Sequence, residues 1–310
     1  MPISRRGLVA GIAGGAAALA LPRSAPVFAA SGASPERPAS GPRTTQLHAP
    51  GGRAVQISEW RPAARARGTI LFSHGAGSAP WHYDLIVLPW VEAGWRVLAP
   101  LHVDSREHPQ TAQYPGLASW KTRIEDMRLL VQGMKGQPFV AAGHSYGGLV
   151  ALTLGGAQPV PPEGMSLPLV PGLAQAVIAF SPPAPVPVLV TAEGYGALKV
   201  PALIQTGTRD LLPGMADDGW KGHLVPFEAA SAGNNRYGLV LEGADHYFGG
   251  TICDLARPGP PQLAQVDLAN RYAGLFLAAF GAASGSGDGA ARRALDLRVT
   301  DALPAMLRHK

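Results

Sequence analysis

Short unbroken apolar runs alternate with helical segments along most of this 310-residue chain, and that alternation constrains the fold more than any other feature. The runs TILFS (69–73), WRVLA (95–99), residues 138–142, AVIAF (176–180), PALIQ (201–205) and RYGLVL (236–241) are too short for helices and too uniformly apolar for half-wet strands. Between them, residues 84–93 carry helical spacing and close on Gly94. Residues 119–134 open on Ser119 as an expected cap, 146–155 are rich in small residues, and 262–280 carry an apolar stripe. Strands buried on both faces with helices between them make a mostly parallel sheet covered on both sides. AVQISEW (54–60) differs: it alternates like a strand with one wet face. FGAASGSGDG (280–289) reads as a flexible joint, and the residues from Ala290 on as one more helix, a helical tail.

Ahead of this pattern stands a different kind of segment. Arg5 and Arg6 precede an apolar, Ala- and Gly-rich stretch from Gly7 to Leu21, and Val27 and Ala29 have the spacing of small residues at a cleavage site. Residues 4–9, SRRGLV, resemble the twin-arginine export signal, with Leu8 where that pattern usually has Phe. The expected organisation is therefore a signal peptide over residues 1–29, an unstructured lead-in over 30–45 and one domain over 46–310. The expected location is periplasmic or secreted. No apolar run reaches the length of a membrane span. Arg5, Arg6 and Arg23 carry most of the formal charge of +5; the remaining 23 basic and 21 acidic residues nearly balance, and no basic cluster with interleaved aromatics appears. Nucleic acid is not an expected partner. A single cysteine, Cys253, excludes an internal disulfide and a cysteine-based zinc site, and it reads as a buried small hydrophobe.

Chemistry enters at FVAAGHSYGGLVAL (139–152), where a strand, a tight turn and a helix follow one another around Ser145. With 39 glycines in the chain, a G-x-S-x-G string arises easily by accident, so its context has to decide. A serine on so sharp a turn has a strained backbone, and residues two away on either side must lack side chains that would clash. Gly143 and Gly147 meet that demand, and the turn sets Ser145 at a helix N-terminus, where free N–H groups favour negative charge. A serine hydroxyl also needs a base, and the base an orienting acid. Asp210 lies just past the run 201–205 in TGTRD, and His246 just past 236–241 in EGADHYF; both are strand ends, where open α/β sheets keep their sites. Asp104 precedes the serine, and Asp245 adjoins His246 with a diverging side chain, so Asp210 is the expected acid. Upstream, His74-Gly75-Ala76-Gly77 follows a strand, and its glycines permit dihedrals that aim an N–H inward. His144 reads as structural. His82, His102 and His108 have no helical metal-ligand spacing, so no metal is expected.

Through FSHGAG, AGHSYGG, TGTRD and GADHYFGG, the stretch from about Thr69 to Phe280 resembles the α/β-hydrolases, of the esterase, dienelactone-hydrolase-like or platelet-activating-factor-acetylhydrolase-like type. Dienelactone hydrolase itself has a Cys nucleophile where this chain has Ser145. The resemblance implies an α/β-hydrolase fold and a serine hydrolase of small-molecule carboxylic esters, working without metal or organic cofactor; the N-terminal segment adds the expectation that it is exported. It implies Ser145 as nucleophile, His246 as base, Asp210 as acid, and the backbone N–H groups of Ala76 and Tyr146 as oxyanion hole. Trp81, Tyr83 and Trp220 are candidates for the wall of the substrate pocket. About twenty residues separate Phe180 from the next strand, so little or no cap is expected, and with it an open pocket for short acyl chains. The rival readings are a serine peptidase or amidase with the same triad and a binding protein with a silent site.

Overall fold

The computed structural model describes residues 41–172, 174–233, 235–282 and 288–310. The expected signal peptide and the lead-in up to Ser40 lie outside the described residues, as do residues 283–287 of the expected joint.

Among the described residues nine strands form one sheet: β1 (Arg43–His48), β2 (Ala54–Trp60), β3 (Gly68–Ser73), β4 (Trp95–Pro100), β5 (Val140–His144), β6 (Ala176–Phe180), β7 (Ala202–Arg209), β8 (Arg236–Asp245) and β9 (Ala305–His309). Their order is β1-β2-β4-β3-β5-β6-β7-β8-β9. The six strands from β4 through β8 run parallel, whereas β2 is antiparallel to both β1 and β4, and β9 is antiparallel to β8. The central strands β5 and β6 are buried throughout, as uninterrupted apolar runs require.

Seven α-helices connect or flank them: α1 (Asp84–Glu92), α2 (Trp120–Gly133), α3 (Tyr146–Leu154), α4 (Ala192–Gly196), α5 (Val225–Ala229), α6 (Leu263–Phe280) and α7 (Gly289–Asp296), counted among the described residues. Two apolar clusters cover the two faces of the sheet. One gathers Ile124, Met127, Leu149 and Val150 of α2 and α3 onto Leu71, Ala141 and Ile204. The other packs Trp90, Val266, Ala273 and Phe276 of α1 and α6 onto Ile70, Phe72, Ile178 and Leu239. Trp90 is fully buried with its ring 6.2 Å from Phe72 and 6.1 Å from Phe180; truncating such a side chain to Ala costs about 3–5 kcal/mol. Helix α1 contains Pro89, which has no N–H for the carbonyl of Leu85 one turn earlier. Asn270 Nδ2 on α6 donates to that carbonyl at 2.8 Å, which compensates the helix and ties α1 to α6. Gly94 ends the helix at φ +95°, with its N–H donating to Val91 O at 2.9 Å.

Four expectations are corrected. Residues 43–45 of the lead-in open β1, a strand whose residues are all exposed and which pairs with β2 through a turn at Gly51 and Gly52, both at φ +84°. β2 does not keep a wet face, because Ser58 and Glu59 are buried; Glu59 is bonded by Arg61 at 2.8 Å and Arg96 at 2.5 Å. Ser119 makes no side-chain cap bond at the start of α2, and its carbonyl instead accepts from Thr122 Oγ1 at 2.8 Å. The tail is not wholly helical: α7 is followed by β9, which closes the sheet edge at β8. No helix among the described residues is long and apolar enough to cross a membrane.

Candidate active site

The turn after β5 is as strained as its sequence requires. Ser145 sits at φ 54°, ψ −122°, its N–H donating to Phe180 O at 2.8 Å and its carbonyl accepting from Gly148 N at 2.8 Å. A non-glycine residue so held costs on the order of 1–3 kcal/mol. A Cβ at Gly143 would lie 2.1 Å from Gly147 O, and one at Gly147 would lie 1.9 Å from Ser73 O. Both glycines are therefore obligatory. Ser145 is part-exposed, whereas the residues around it in the turn are buried.

Asp210 follows β7 and His246 follows β8. Gly207 lets these strands approach closely, since a Cβ there would be 2.2 Å from Ala244 O. The two side chains meet with His246 Nδ1 2.7 Å from Asp210 Oδ1, so the imidazole donates to the carboxylate and leaves Nε2 for a substrate-side proton. Thr206 Oγ1 donates to Asp210 Oδ2 at 2.7 Å. Burial works against the Asp210 charge, but the His246 hydrogen bond, the nearby histidines and Ser181 win and hold the carboxyl well below the usual carboxylate range. Asp245 faces elsewhere, accepting from Tyr247 N at 2.8 Å, Gly249 N at 3.0 Å and Gln262 Nε2 at 3.0 Å. Asp104 pairs with Arg123. Among the described residues no hydrogen bond joins Ser145 Oγ to His246. The two residues are tied through the backbone: His144 Nε2–H donates to His246 O at 2.9 Å, and the two rings lie 4.7 Å apart.

The loop 74–77 is pinned by groups that sequence reading did not assign. Arg123, fully buried on α2, donates from Nη1 to His74 O at 2.7 Å and from Nη2 to Gly75 O at 3.2 Å, while its Nε and Nη2 grip Asp104 at 2.9 and 2.8 Å. Burial opposes the Asp104 charge, yet Arg123 holds that carboxyl well below its usual range. Gly77 N donates to Asp104 Oδ2 at 3.4 Å and Gly75 N to Tyr83 Oη at 2.9 Å. With those donors used, the N–H groups of Ala76 and Tyr146 are without hydrogen-bond partners among the described residues. Ala76 is exposed, and Tyr146 opens α3 beside Ser145.

The pocket candidates fare differently. Tyr83 is not at a pocket wall: it is 1% exposed, and its hydroxyl, having accepted from Gly75 N, donates to His144 Nδ1 at 2.9 Å. Burial pushes the Tyr83 phenol well up and the His144 ring well down, the latter helped by the neighbouring His246, so the phenol keeps its proton and the ring is neutral. The chain Gly75, Tyr83, His144, His246 carbonyl thus runs with every donor pointing one way. Trp81 and Trp220 are half-buried, Trp220 against the core cluster under α2 and α3. Cys253 is buried, as expected for a small hydrophobe.

A second serine–histidine–aspartate set lies under the loop. Ser73 Oγ is 2.9 Å from His102 Nε2, and His102 Nδ1 is 2.8 Å from Asp126 Oδ2. All three residues are fully buried, so no substrate reaches them. Burial, aided by Arg123, keeps the His102 ring well below its ordinary range; burial pushes the Asp126 carboxyl up to about 7 against the pull of Arg53, 2.7 Å away. His102 N donates to His74 Nε2 at 3.0 Å, so this set too braces the loop. Among the described residues the group with metal-ligand proximity is Asp210, His223 and His246, whose ligand atoms lie within 4.8 Å of one another. The 2.7 Å contact of Asp210 with His246 is a hydrogen-bond distance, and a metal inserted there would break it.

The strand order, the serine turn after β5 and the acid–histidine pair after β7 and β8 together make the α/β-hydrolase arrangement. The chain is an α/β-hydrolase by fold. The family model described as serine aminopeptidase, S33, matches residues 64–170, about a third of the chain. No curated protein matches it. Among solved structures, it is similar to Thermogutta terrifontis esterase 2 phosphoramylated by tabun (17% identity, 76% of this chain and 94% of that chain, TM-score 0.56). The butyrate-bound structure of Est2 from the same organism aligns at 18% identity over 76% of this α/β-hydrolase chain and 93% of its own (TM-score 0.55). The thioesterase domain from the curacin biosynthetic pathway aligns at 13% identity over 77% and 100% (TM-score 0.51). At these identities the likeness establishes the fold.

Proposed function

We propose that this α/β-hydrolase cleaves carboxylic esters through an acyl-enzyme on Ser145. The observation that carries the reading is the 2.7 Å bond from His246 Nδ1 to Asp210, beside a serine held at positive φ. Ser145 Oγ attacks the ester carbonyl while His246 Nε2 takes its proton. The N–H groups of Ala76 and Tyr146 stabilise the oxyanion, and Asp210 stabilises the imidazolium. His246 then protonates the departing alcohol and activates the water that releases the acid.

Short acyl groups, of about two to six carbons, fit this reading best. The segment between β6 and β7 carries only the five-residue α4 among its described residues, so it supplies no bulky lid. The similar Thermogutta esterase has been solved with butyrate bound, which accords with a short-chain pocket. The test is a panel of p-nitrophenyl esters graded in length. Turnover is expected to peak at short chains without a jump when substrate forms micelles; a peak at long chains or a micellar jump refutes the short-chain assignment.

The family description as a serine aminopeptidase favours one rival, peptide or amide hydrolysis by the same triad. Comparing an acyl p-nitrophenyl ester with the matching anilide separates the two. The ester is expected to react far faster, and comparable rates would favour the amidase. Export through the twin-arginine route belongs to the proposal as well, on Arg5 and Arg6. Replacing both with Lys is expected to leave precursor in the cytoplasm, and normal export of that variant removes the assignment.

A further inference from the structure

Tyr83 and His144 are buried polar side chains that the ester-cleaving steps leave unused, and together they join the loop of Ala76 to the loop of His246. At one end the N–H of Gly75, the residue before Ala76, donates to the Tyr83 hydroxyl at 2.9 Å. At the other, His144 Nε2 lies 2.9 Å from the carbonyl of His246, which only accepts, so Nε2 carries a hydrogen. In the neutral ring Nδ1 is then bare, and the Tyr83 hydroxyl, 2.9 Å away, donates to it. Gly75 makes room for this chain. Unlike Gly77 it has no positive φ, yet a Cβ there would stand 3.0 Å from Tyr83 Oη, His144 Nδ1 and Cys253 Sγ. Glycine therefore leaves the space in which the hydroxyl reaches the backbone N–H. A second bond, from Ser78 Oγ to Cys253 O at 2.8 Å, joins the same two loops.

We propose that Tyr83 and His144 are positioning residues that fix the oxyanion donor Ala76 and the base His246 relative to each other across the Ser145 turn. This rests on the ester-hydrolase reading above. Neither side chain touches substrate; each acts through main chain beside a group that does. The Ala76 N–H and His246 Nε2 gain most as the oxyanion forms and the proton moves, so a break in the chain costs transition-state stabilisation rather than substrate binding. Removing an oxyanion donor outright costs about 10²–10³ in kcat. Loosening one is expected to cost less, about 10- to 100-fold.

Two single variants and their double test it. Tyr83→Phe keeps the ring packed edge-on to Phe72 at 4.9 Å and removes only the hydroxyl. His144→Asn keeps an amide near the place of Nδ1 but no longer reaches the His246 carbonyl. Turnover of a p-nitrophenyl ester is measured per competent site, counted by fluorophosphonate titration. In each single variant kcat is expected to fall about 10- to 100-fold with KM changed by less than about threefold. Binding of a trifluoromethyl ketone, which forms an oxyanion on Ser145, is expected to weaken in proportion to kcat/KM. The double variant is expected to lose no more than the worse single, because either break opens the same chain. A lowered melting temperature with kcat per site unchanged would make the two residues merely structural and overturn the proposal. Losses that multiply in the double variant would overturn it too. Imidazole 15N spectra of the wild-type protein give a reading free of any variant: His144 is expected to carry its hydrogen on Nε2, and a hydrogen on Nδ1 instead overturns the chain even if ester hydrolysis is confirmed. Turnover by wild type and Tyr83→Phe alike overturns this proposal alone, whereas no ester turnover by the wild type overturns the ester reading and this proposal with it.

Discussion

Arg123→Met is the substitution through which the structure speaks most plainly about what holds the site together. Arg123 is fully buried, grips Asp104 with two nitrogens at 2.9 and 2.8 Å, and holds the carbonyls of His74 and Gly75 at 2.7 and 3.2 Å. Met matches much of its volume but leaves a nearly buried carboxylate without its cation and the His74 carbonyl without its donor, while the Gly75 carbonyl keeps only His74 Nδ1 at 2.8 Å. Breaking a buried pair from one side costs about 3–5 kcal/mol. For a domain of this size each kcal/mol moves the melting temperature by about 2–4 °C, so a fall of about 10 °C is expected. The double variant Arg123→Met/Asp104→Leu removes the stranded charge and is expected to recover more than half of that loss. Differential scanning calorimetry on the three proteins reads both effects. The loop carrying Ala76 loses its anchor in either variant, so ester turnover is expected to stay low even where stability returns. A single variant that melts within about 2 °C of wild type, or a double variant less stable than the single, refutes the view that the pair's balance holds the loop.

Two further outcomes follow from the charges. Asp210→Asn removes the acceptor of the His246 Nδ1 bond and is expected to lower kcat by about 10³–10⁴ with the circular dichroism spectrum unchanged; a loss under tenfold would mean that another group orients His246. Asp104 and Asp210 are both held below their unfolded values, so their contribution to stability is present above about pH 4 and drains away as pH falls toward the folded-state values. Thermal stability is therefore expected to drop steeply below about pH 4, and to drop less in Asp104→Asn, which has already lost its share; parallel pH profiles for the two proteins contradict this.

The residues at the heart of the site were legible because each had to satisfy a local rule. Gly143 and Gly147 are required by contacts of 2.1 and 1.9 Å, and the apolar runs marked the strands whose ends carry Ser145, Asp210 and His246. β1 escaped notice because both its faces are exposed and its residues, RTTQLH, have no apolar period; the Gly51-Gly52 turn before Val55 was the signal available. β9 was hidden in a short segment read as the continuation of a helix. Arg123 and the set Ser73, His102 and Asp126 act through partners distant in sequence, from 19 to 50 residues for the Arg123 bonds alone. No spacing rule announces such pairs. Tyr83 was misplaced for a similar reason: an aromatic after the loop fits a pocket wall, and only the positions of Gly75 and His144 show that its hydroxyl is a link between them.

The central claim is that Ser145 is the nucleophile of this chain. Treating the folded protein with a fluorophosphonate and locating the adduct by peptide mass spectrometry tests it directly. One adduct per chain is expected, on Ser145, with ester turnover lost in step with labelling and no adduct on Ser145→Ala. Stoichiometric labelling at another residue, or full ester turnover by Ser145→Ala, contradicts it.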